Sequence, residues 1–559
     1  MFHSTLKMAI GLCVLYGIAI GPVMAAITLP PVLTDHMVLQ RDMPVPIWGT
    51  ADPGEAITVT FQAQTKTATA DAQGKWMVKL DALTATAEPN TLSISGSTTV
   101  TLKDVLVGEV WVGSGQSNLD SPVNMYAGQD SILNQAKGES HPLLRLYHSV
   151  GQKGWQAATN PELIGGYSAQ LFYYGVLLQK ELNVPVGVLE GAVAGSPSAP
   201  FLPQEGFKSN AAILATAAKW DQEHPIEQRQ KKYEEDLAKW ESAVAADMAA
   251  TQPTPGASLS DQTNTTNAVA SAVPTAVETA KVPPAILAKH PKPWPPGLAV
   301  DSKTGDAFEK HIRPMIPFAI RGVLWDQGEG GAGFAQLPIW QQAIMAALIP
   351  AWRQEWGEGD FPWLYVQKPS GGGCAFNPDD PVNKGAKPFE PLPKYVPDAD
   401  YFSWLHREAL DVVAQNTNTF LVITTDLAMG VHPTNKSGYA TRDLTVALGA
   451  VYGRPVEYYG PKYDSFKIEG DHIRISYTHV GKGLVTPAGQ PLQGFAVAGA
   501  DKRFYWADSA AIDGQTVVVS STHVPNPVAV HYAWTWPLAW ANLFNADGLP
   551  AIGFRTDKW

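Results

Sequence analysis

The chain has 559 residues, with 40 Lys and Arg against 52 Asp and Glu, so its formal net charge is −12. This acidic balance argues against a nucleic-acid-binding protein, because a phosphate backbone is bound by clustered positive charge. Hydrophobic residues make up 45% of the chain and charged residues 16%, which indicates a globular protein and excludes a disordered one.

Residues 1–25 have the pattern of an export signal. Lys7 precedes an apolar run from Met8 to Ile20, and Val23-Met24-Ala25 provides the small residues that a signal peptidase requires. The run is too short to span ~30 Å of hydrocarbon. We therefore expect a periplasmic or secreted bacterial protein without a membrane span. Its mature form keeps only Cys374, so we expect no intramolecular disulfide.

Short strands and turns dominate residues 26–104. Ile57–Phe61 and Thr91–Ser95 alternate between apolar and polar residues, as half-buried strands do, and Asp71–Trp76 has the composition of a hairpin turn. The pattern predicts an N-terminal all-β module.

Strands alternate with helices in residues 105–205 and 313–453, which predicts an α/β domain in two parts, with a parallel sheet covered by helices on both faces. The predicted strands are Val105–Val112, Val184–Leu189, Ile320–Trp325, Phe361–Val366 and Thr419–Thr424, and the predicted helices are Leu171–Leu182, Leu337–Trp356 and Ala440–Tyr452.

An insertion, residues 206–312, separates the two parts. Trp220–Ser242 predicts a charged helix, and residues 243–281, rich in Ala, Thr, Ser and Pro, predict a flexible loop. In residues 454–559 the β pattern returns, with a hairpin around Glu469-Gly470-Asp471. We therefore predict a C-terminal β module.

Ser117 follows the first strand of the α/β part, at the edge where open α/β sheets place their sites. Gly115 permits a tight turn before it, so that the serine can present its hydroxyl and offer its own N–H to an oxyanion. A Ser- and Asn-rich turn that caps a helix would have the same composition.

Two further strand ends carry reactive side chains. His432 follows the strand Thr419–Thr424 and could act as a general base, although a single histidine is often structural. Gln327 and Glu329 follow the strand Ile320–Trp325. The Gln327 amide could donate to an oxyanion, whereas glycosidase chemistry at Glu329 would need a second, facing carboxylate.

Three ordered motifs resemble the sialate O-acetylesterase family of SGNH-type carbohydrate esterases: GQSN at Gly115–Asn118, WxQGE at Trp325–Glu329 and HPxxK at His432–Lys436. The blocks LPPVLTDHMVLQRDMPVPIWGTADPGE near the start and FAVAGADKRFYWADSAAIDGQTVVVSS near the end are also similar to the family. The resemblance covers nearly the whole mature chain except the insertion.

The resemblance implies a serine esterase with no metal or cofactor that removes acetyl groups from sugars. Ser117 would be the nucleophile and His432 the base, and the oxyanion would be held by the N–H groups of Ser117 and Gly195 and by the Gln327 side chain. Its partner would be an acetylated carbohydrate, either sialic acid or a plant polysaccharide such as xylan or xyloglucan. The sequence leaves the oligomeric state open.

The acid that would complete a catalytic triad with Ser117 and His432 is not at its usual position. Many SGNH enzymes carry an Asp two or three residues before the His, but Gly430 and Met429 stand there. Asp426 is the preferred replacement and Glu329 the alternative.

Other departures concern the pocket. They are Leu119-Asp120 for Met-Glu, Glu190 for Asn and Gly330-Gly331 for Ser-Asn. In the family these positions line the acyl-sugar pocket, so the resemblance leaves the substrate open. The missing Asp before His432 leaves open a second class of function, a carbohydrate-binding protein with a degenerate site.

Overall fold

A computed structural model of the chain describes residues 26–149, 151, 153–250, 282–283, 286, 290, 292–293, 305–328, 338–398 and 410–559. The chain forms two compact units. The first comprises residues up to Gly113, Pro122–Gly191 and Pro314–Val323, and the second comprises Ser114–Ser121, Ala192–Arg313 and Leu324–Trp559. The predicted export signal and Glu329 lie outside the described residues. The predicted domain boundaries stay predictions.

The first unit is built on a mixed sheet. The strands of this unit are β1 (Val38–Gln40), β2 (Val45–Thr50), β3 (Ala56–Phe61), β4 (Gln64–Thr69), β5 (Lys75–Leu80), β6 (Thr86–Ser95), β7 (Thr99–Gly115), β8 (His141–His148), β9 (Gln156–Ala158) and β10 (Val186–Glu190), of which β2 and β5 form a separate two-stranded sheet. Strand β7 pairs in parallel with β1 and β10 and antiparallel with β6. Strand β10 also pairs in parallel with β8, and β9 closes that edge antiparallel.

Strand β7 combines an alternating and a continuous burial pattern along its length. Thr99–Lys103 alternates between exposed and more buried positions, whereas the chain from Val105 to Gly115 is buried throughout. A parallel strand covered on both faces has such a continuous apolar run. The predicted strand Val105–Val112 is therefore the buried part of a longer strand.

The predicted hairpin at Asp71–Trp76 is wrong. The turn itself is tight, with a 2.8 Å bond from the Asp71 N–H to the Lys75 carbonyl and Gly74 at φ +77°. However, β4 pairs with β3 and β5 pairs with β2, so the turn connects two different sheets. Local turn chemistry determines the reversal of the chain, but not the partners of the strands on either side.

Helices connect the strands of the first unit. They are Val123–Tyr126, Ser131–Gly138, Pro161–Gly165 and Ala169–Leu182. The last confirms the prediction for Leu171–Leu182. It starts where the Ser168 side chain accepts a bond from the Leu171 N–H, and it ends at Asn183 in the left-handed conformation.

The second unit contains a short parallel sheet, in the order β11 (Gly322–Asp326), β12 (Trp363–Val366) and β13 (Thr419–Val422). All three strands are almost entirely buried and match predicted apolar runs. The helices of this unit are Ser117–Asp120, Gln204–Ser209, Ala211–Glu223, Ile226–Ala250, Pro338–Trp356 and Lys436–Val446, with short helical turns at Ala199–Phe201, Phe308–Ile312, Pro381–Asn383 and Ala447–Val451.

The helical part of the insertion differs from the prediction. Two helices replace the single helix expected at Trp220–Ser242, because Pro225 disfavours helical geometry at His224. The second helix continues to Ala250 through Ala-rich sequence, which favours helix. The predicted loop thus begins at least eight residues later than Ala243, and residues 251–281 lie outside the described part.

Antiparallel sheets fill residues 462–555. The strands are β14 (Lys462–Glu469), β15 (His472–Thr478), β16 (Leu484–Val485), β17 (Phe495–Ala498), β18 (Phe504–Trp506), β19 (Ser509–Asp513), β20 (Thr516–Ser520), β21 (Ala529–Tyr532), β22 (Phe544–Asn545) and β23 (Phe554–Arg555). They form sheets in the orders β14-β15-β20-β19, β18-β17-β21-β23 and β16-β22. The predicted hairpin at Glu469-Gly470-Asp471 is confirmed, with Gly470 at φ +73°.

The structure confirms an α/β chain with a mixed sheet and additional all-β sheets in its C-terminal region. The sheet of the first unit is mixed and not parallel throughout, because β6 pairs antiparallel with β7, β3 with β6 and β4 with β3. Within the described part of the chain, no helix combines the length and hydropathy needed to cross a membrane.

Candidate active site

The structure brings Ser117 and His432 together across 315 residues of sequence. The Ser117 Oγ lies 2.8 Å from the His432 Nε2. Ser117 begins a short helix immediately after the β7 end, and it is half-buried, while His432 is exposed. A hydroxyl at this distance from an imidazole nitrogen can transfer its proton as it attacks a substrate.

Gly115 gives the serine turn its shape. Its φ is +127°, and a Cβ at this position would lie 2.1 Å from the Asp326 carbonyl oxygen. The Gln116 N–H donates to the same oxygen at 3.0 Å. Only glycine permits this close approach, which places the start of the serine helix beside the end of β11.

Asn118 and Lys436 connect the serine segment to the histidine segment. The Asn118 Nδ2 donates to the Val431 carbonyl at 2.9 Å, and its Oδ1 accepts from the Lys436 Nζ at 2.7 Å. Both side chains are fully buried. These bonds hold the backbone next to His432 against the residue next to Ser117. Sequence reasoning assigned neither residue a role, although each ends one of the motifs.

Gln327 lies at the end of β11 and is completely buried. The Ser198 hydroxyl donates a hydrogen bond to its Oε1. This bond determines which way the side-chain amide faces, because the oxygen must point toward Ser198.

Gly195 lies in a loop that is attached to the serine segment. The Val193 N–H donates to the Gly115 carbonyl at 3.0 Å, and the Ala194 N–H donates to the Asp120 carboxylate at 2.9 Å. Gly195 itself has φ +70°, with open space where a Cβ would be. Asp120, one of the departures from the family pattern, thus helps to position the predicted oxyanion glycine.

Asp426 is fully buried and bonded away from the histidine. Its carboxylate accepts from both terminal nitrogens of Arg442, at 3.0 and 2.8 Å, and from the Asn383 Nδ2 at 2.7 Å. In the described residues, no hydrogen bond joins Asp426 to His432. Sequence proximity does not determine the direction of a side chain, and this one points to Arg442 and Asn383.

Two more buried groups lie in the second unit. Asp326, which directly precedes Gln327, forms an ion pair of 2.7 Å with Lys368, and the side chains of Lys368 and Asp326 are 3% and 0% exposed. Burial raises the pKa of the Cys374 thiol to about 12. The thiol therefore stays protonated at neutral pH, which argues against a cysteine nucleophile.

The chain is similar to known esterases over nearly its full length. Human sialate O-acetylesterase is 21% identical over 577 residues, covering 94% of this chain and 92% of the human protein. The mouse sialate O-acetylesterase is 22% identical over 551 residues, covering 90% and 89%. No family model matches the chain.

A solved structure is also similar. The crystal structure of a carbohydrate acetylesterase from Xanthomonas citri has a TM-score of 0.67 and 26% identity, and it covers 96% of this chain and 100% of that one. The resemblance predicted from the three motifs is therefore confirmed, and the chain is a carboxylic ester hydrolase of the sialate O-acetylesterase-like type.

Proposed function

We propose that the protein removes O-acetyl groups from carbohydrates, with Ser117 as the nucleophile and His432 as the general base. The observation that carries this proposal is the 2.8 Å distance between the Ser117 Oγ and the His432 Nε2. The similarity to proteins named for sialate and carbohydrate O-acetyl ester hydrolysis supports the substrate class.

The reaction proceeds through an acetyl-serine. The Ser117 Oγ attacks the acetyl carbonyl carbon while the His432 Nε2 takes the hydroxyl proton. The oxyanion is stabilised by the N–H groups of Ser117 and Gly195 and by the Gln327 amide. The tetrahedral intermediate then breaks its bond to the sugar oxygen, which leaves with the proton from His432. Water, deprotonated by His432, hydrolyses the acetyl-serine and releases acetate.

We also propose that the catalytic part has the SGNH-type arrangement, which is a parallel sheet with helices on both faces. Complete burial of β11 and β12 supports it, because a parallel strand is buried on both sides only when both faces are covered. Residues 1–25 direct export to the periplasm or the medium, as their pattern predicts.

The function is tested by acetate release from 9-O-acetylated sialic acid, acetylated xyloglucan and acetylated xylan. We expect release from at least one of them, since Ser117 and His432 lie within hydrogen-bonding distance. Release from sialic acid alone means that the departures around Asp120 leave the family substrate unchanged, and release from a polysaccharide alone means that they have altered the pocket. Binding without release from any of the three would contradict the proposal and indicate a degenerate, carbohydrate-binding protein.

A carboxylate beside His432 would orient the imidazole for proton transfer. Asp426 already accepts bonds from Arg442 and Asn383, which favours an anchoring role for it. We therefore propose the alternative acid, Glu329, as the group that orients the imidazole.

Matched amide variants separate these two roles. Asp426→Asn should destabilise the protein, by about 3 kcal/mol, since it leaves the buried Arg442 without its counter-charge. Glu329→Gln should lower kcat, because it removes the charge that is proposed to orient the imidazole. Thermal unfolding and steady-state kinetics on both variants check this expectation. If Asp426→Asn had a normal Tm but a greatly reduced kcat, Asp426 would be the acid that orients His432.

A further inference from the structure

A cavity lies in the C-terminal β region, on the sheet β18-β17-β21-β23. Its volume is about 410 Å³, within the ~300–1,000 Å³ range of small-molecule sites. None of the residues proposed for ester hydrolysis lines it. The cavity is therefore a candidate binding site of its own.

The strand register builds the floor of this cavity. Trp506 pairs with Ala496, Ala496 with His531, and His531 with Arg555, so these four side chains form one row across four strands. All four line the cavity. Ala496 is the smallest member of the row, and it leaves a depression between the larger side chains.

The opposite face of the same strands is core. The neighbours in the alternation, Phe495, Val497, Val530, Tyr532 and Phe554, are buried in one hydrophobic cluster. Of the rings that line the cavity, Trp540 belongs to this cluster and Trp506 packs against it, whereas Phe504, His531 and Trp559 do neither. The presence of these three rings therefore calls for an explanation other than core packing.

Flat aromatic rings surround the depression. Phe504 stacks on His531, with centroids 3.7 Å apart and planes inclined by 19°. The Trp559 ring lies 6.4 Å from Phe504 at an angle of 30° and is 46% exposed. Burial lowers the pKa of His531 to about 4, so its ring is neutral at neutral pH. Such rings offer apolar faces to the C–H side of a sugar ring.

Cations accompany these rings. Lys502, Arg503 and Arg555 line the cavity, as does the carboxylate of Asp398, in a chain whose net charge is −12. Arg555 and His531 both contact the buried carboxylate of Asp557, so Lys502 and Arg503 supply the positive charge for a ligand. The Lys502 Nζ lies 5.4 Å from the Trp559 ring centroid, and the Arg555 guanidinium carbon lies 5.9 Å from that of Trp534. A positive cluster in an acidic protein favours an anionic ligand, and guanidinium groups bind carboxylates well.

We propose that this cavity binds a sugar residue that carries a carboxylate, separately from ester hydrolysis. The rings contact the pyranose face and the cations bind the carboxylate. The proposal does not depend on the proposed function, because none of its residues takes part in that reaction.

The test uses the full chain with Ser117→Ala, so that no ester is turned over. Isothermal titration with N-acetylneuraminic acid, methyl glucuronide and neutral methyl glucoside distinguishes the sources of the carboxylate. We expect at least one acid to bind at least tenfold more tightly than the neutral sugar. Trp559→Ala, and Lys502→Gln combined with Arg503→Gln, should each weaken that acid at least tenfold.

A matched control removes the same charge elsewhere. Lys232→Gln combined with Lys467→Gln changes two lysines that are 75% and 76% exposed and do not line the cavity. It should leave the affinity within twofold. The proposal is overturned if acids and neutral sugar bind alike, if no saturable binding occurs, if the control weakens binding as much as the cavity variant, or if Trp559→Ala has no effect.

Discussion

Ser117→Ala should abolish acetate release while leaving the fold intact. Among the described residues, only the Ser117 Oγ forms a hydrogen bond with the His432 ring, at 2.8 Å. Its removal eliminates the covalent route, and we expect kcat to fall by about 10⁴–10⁶-fold. Acetate release from the substrate that the wild type prefers measures this directly.

Two controls make the result specific. Ser121→Ala changes a serine that ends the same short helix, and it should retain activity. The double variant Ser117→Ala/His432→Ala should be no slower than Ser117→Ala alone, because the two side chains act as a unit. Wild-type activity in Ser117→Ala would make the whole site assignment wrong.

Gln327→Ala should have the second largest effect. Its side chain is buried, and its Oε1 accepts from the Ser198 hydroxyl. In the proposed mechanism its amide donates to the oxyanion, so the substitution removes one of the proposed donors. Removal of one such donor lowers kcat by about 10²–10³-fold, or ~2.7–4 kcal/mol. Because the oxyanion forms only in the transition state, KM should change little.

Gln367 provides the matched control for this variant. It follows β12 as Gln327 follows β11, and it is equally buried, but its side-chain oxygen accepts from the Thr424 N–H. Gln367→Ala should lower Tm and leave kcat near that of the wild type. Equal losses of kcat in the two variants would mean that Gln327 acts through the fold and not on the oxyanion.

The sequence predicted the meeting of Ser117 and His432 because both follow buried strands. The carboxyl ends of parallel strands lie at one edge of a sheet, so residues just past them come close whatever their separation in the chain. Gly115 was predicted for the same reason, since a tight turn after a strand needs a residue that tolerates positive φ.

Other parts of the site could not be predicted from the sequence. Asp426 lies six residues before His432, yet its carboxylate faces Arg442, because side-chain direction depends on packing. The bond between Asn118 and Lys436 spans 318 residues, and nothing local in either motif indicates it. The partners of β4 and β5 were missed for a similar reason, since alternation predicts a strand but not its neighbour.

Covalent labelling tests the central claim most directly. A serine-directed phosphonate ester should inactivate the full chain in proportion to its incorporation, and peptide mass spectrometry should place the label on Ser117. Prior saturation with the preferred acetylated carbohydrate should slow the labelling, and His432→Ala should suppress it. Inactivation with the label on another residue, or a fully labelled Ser117 in a protein that still releases acetate, would contradict the account.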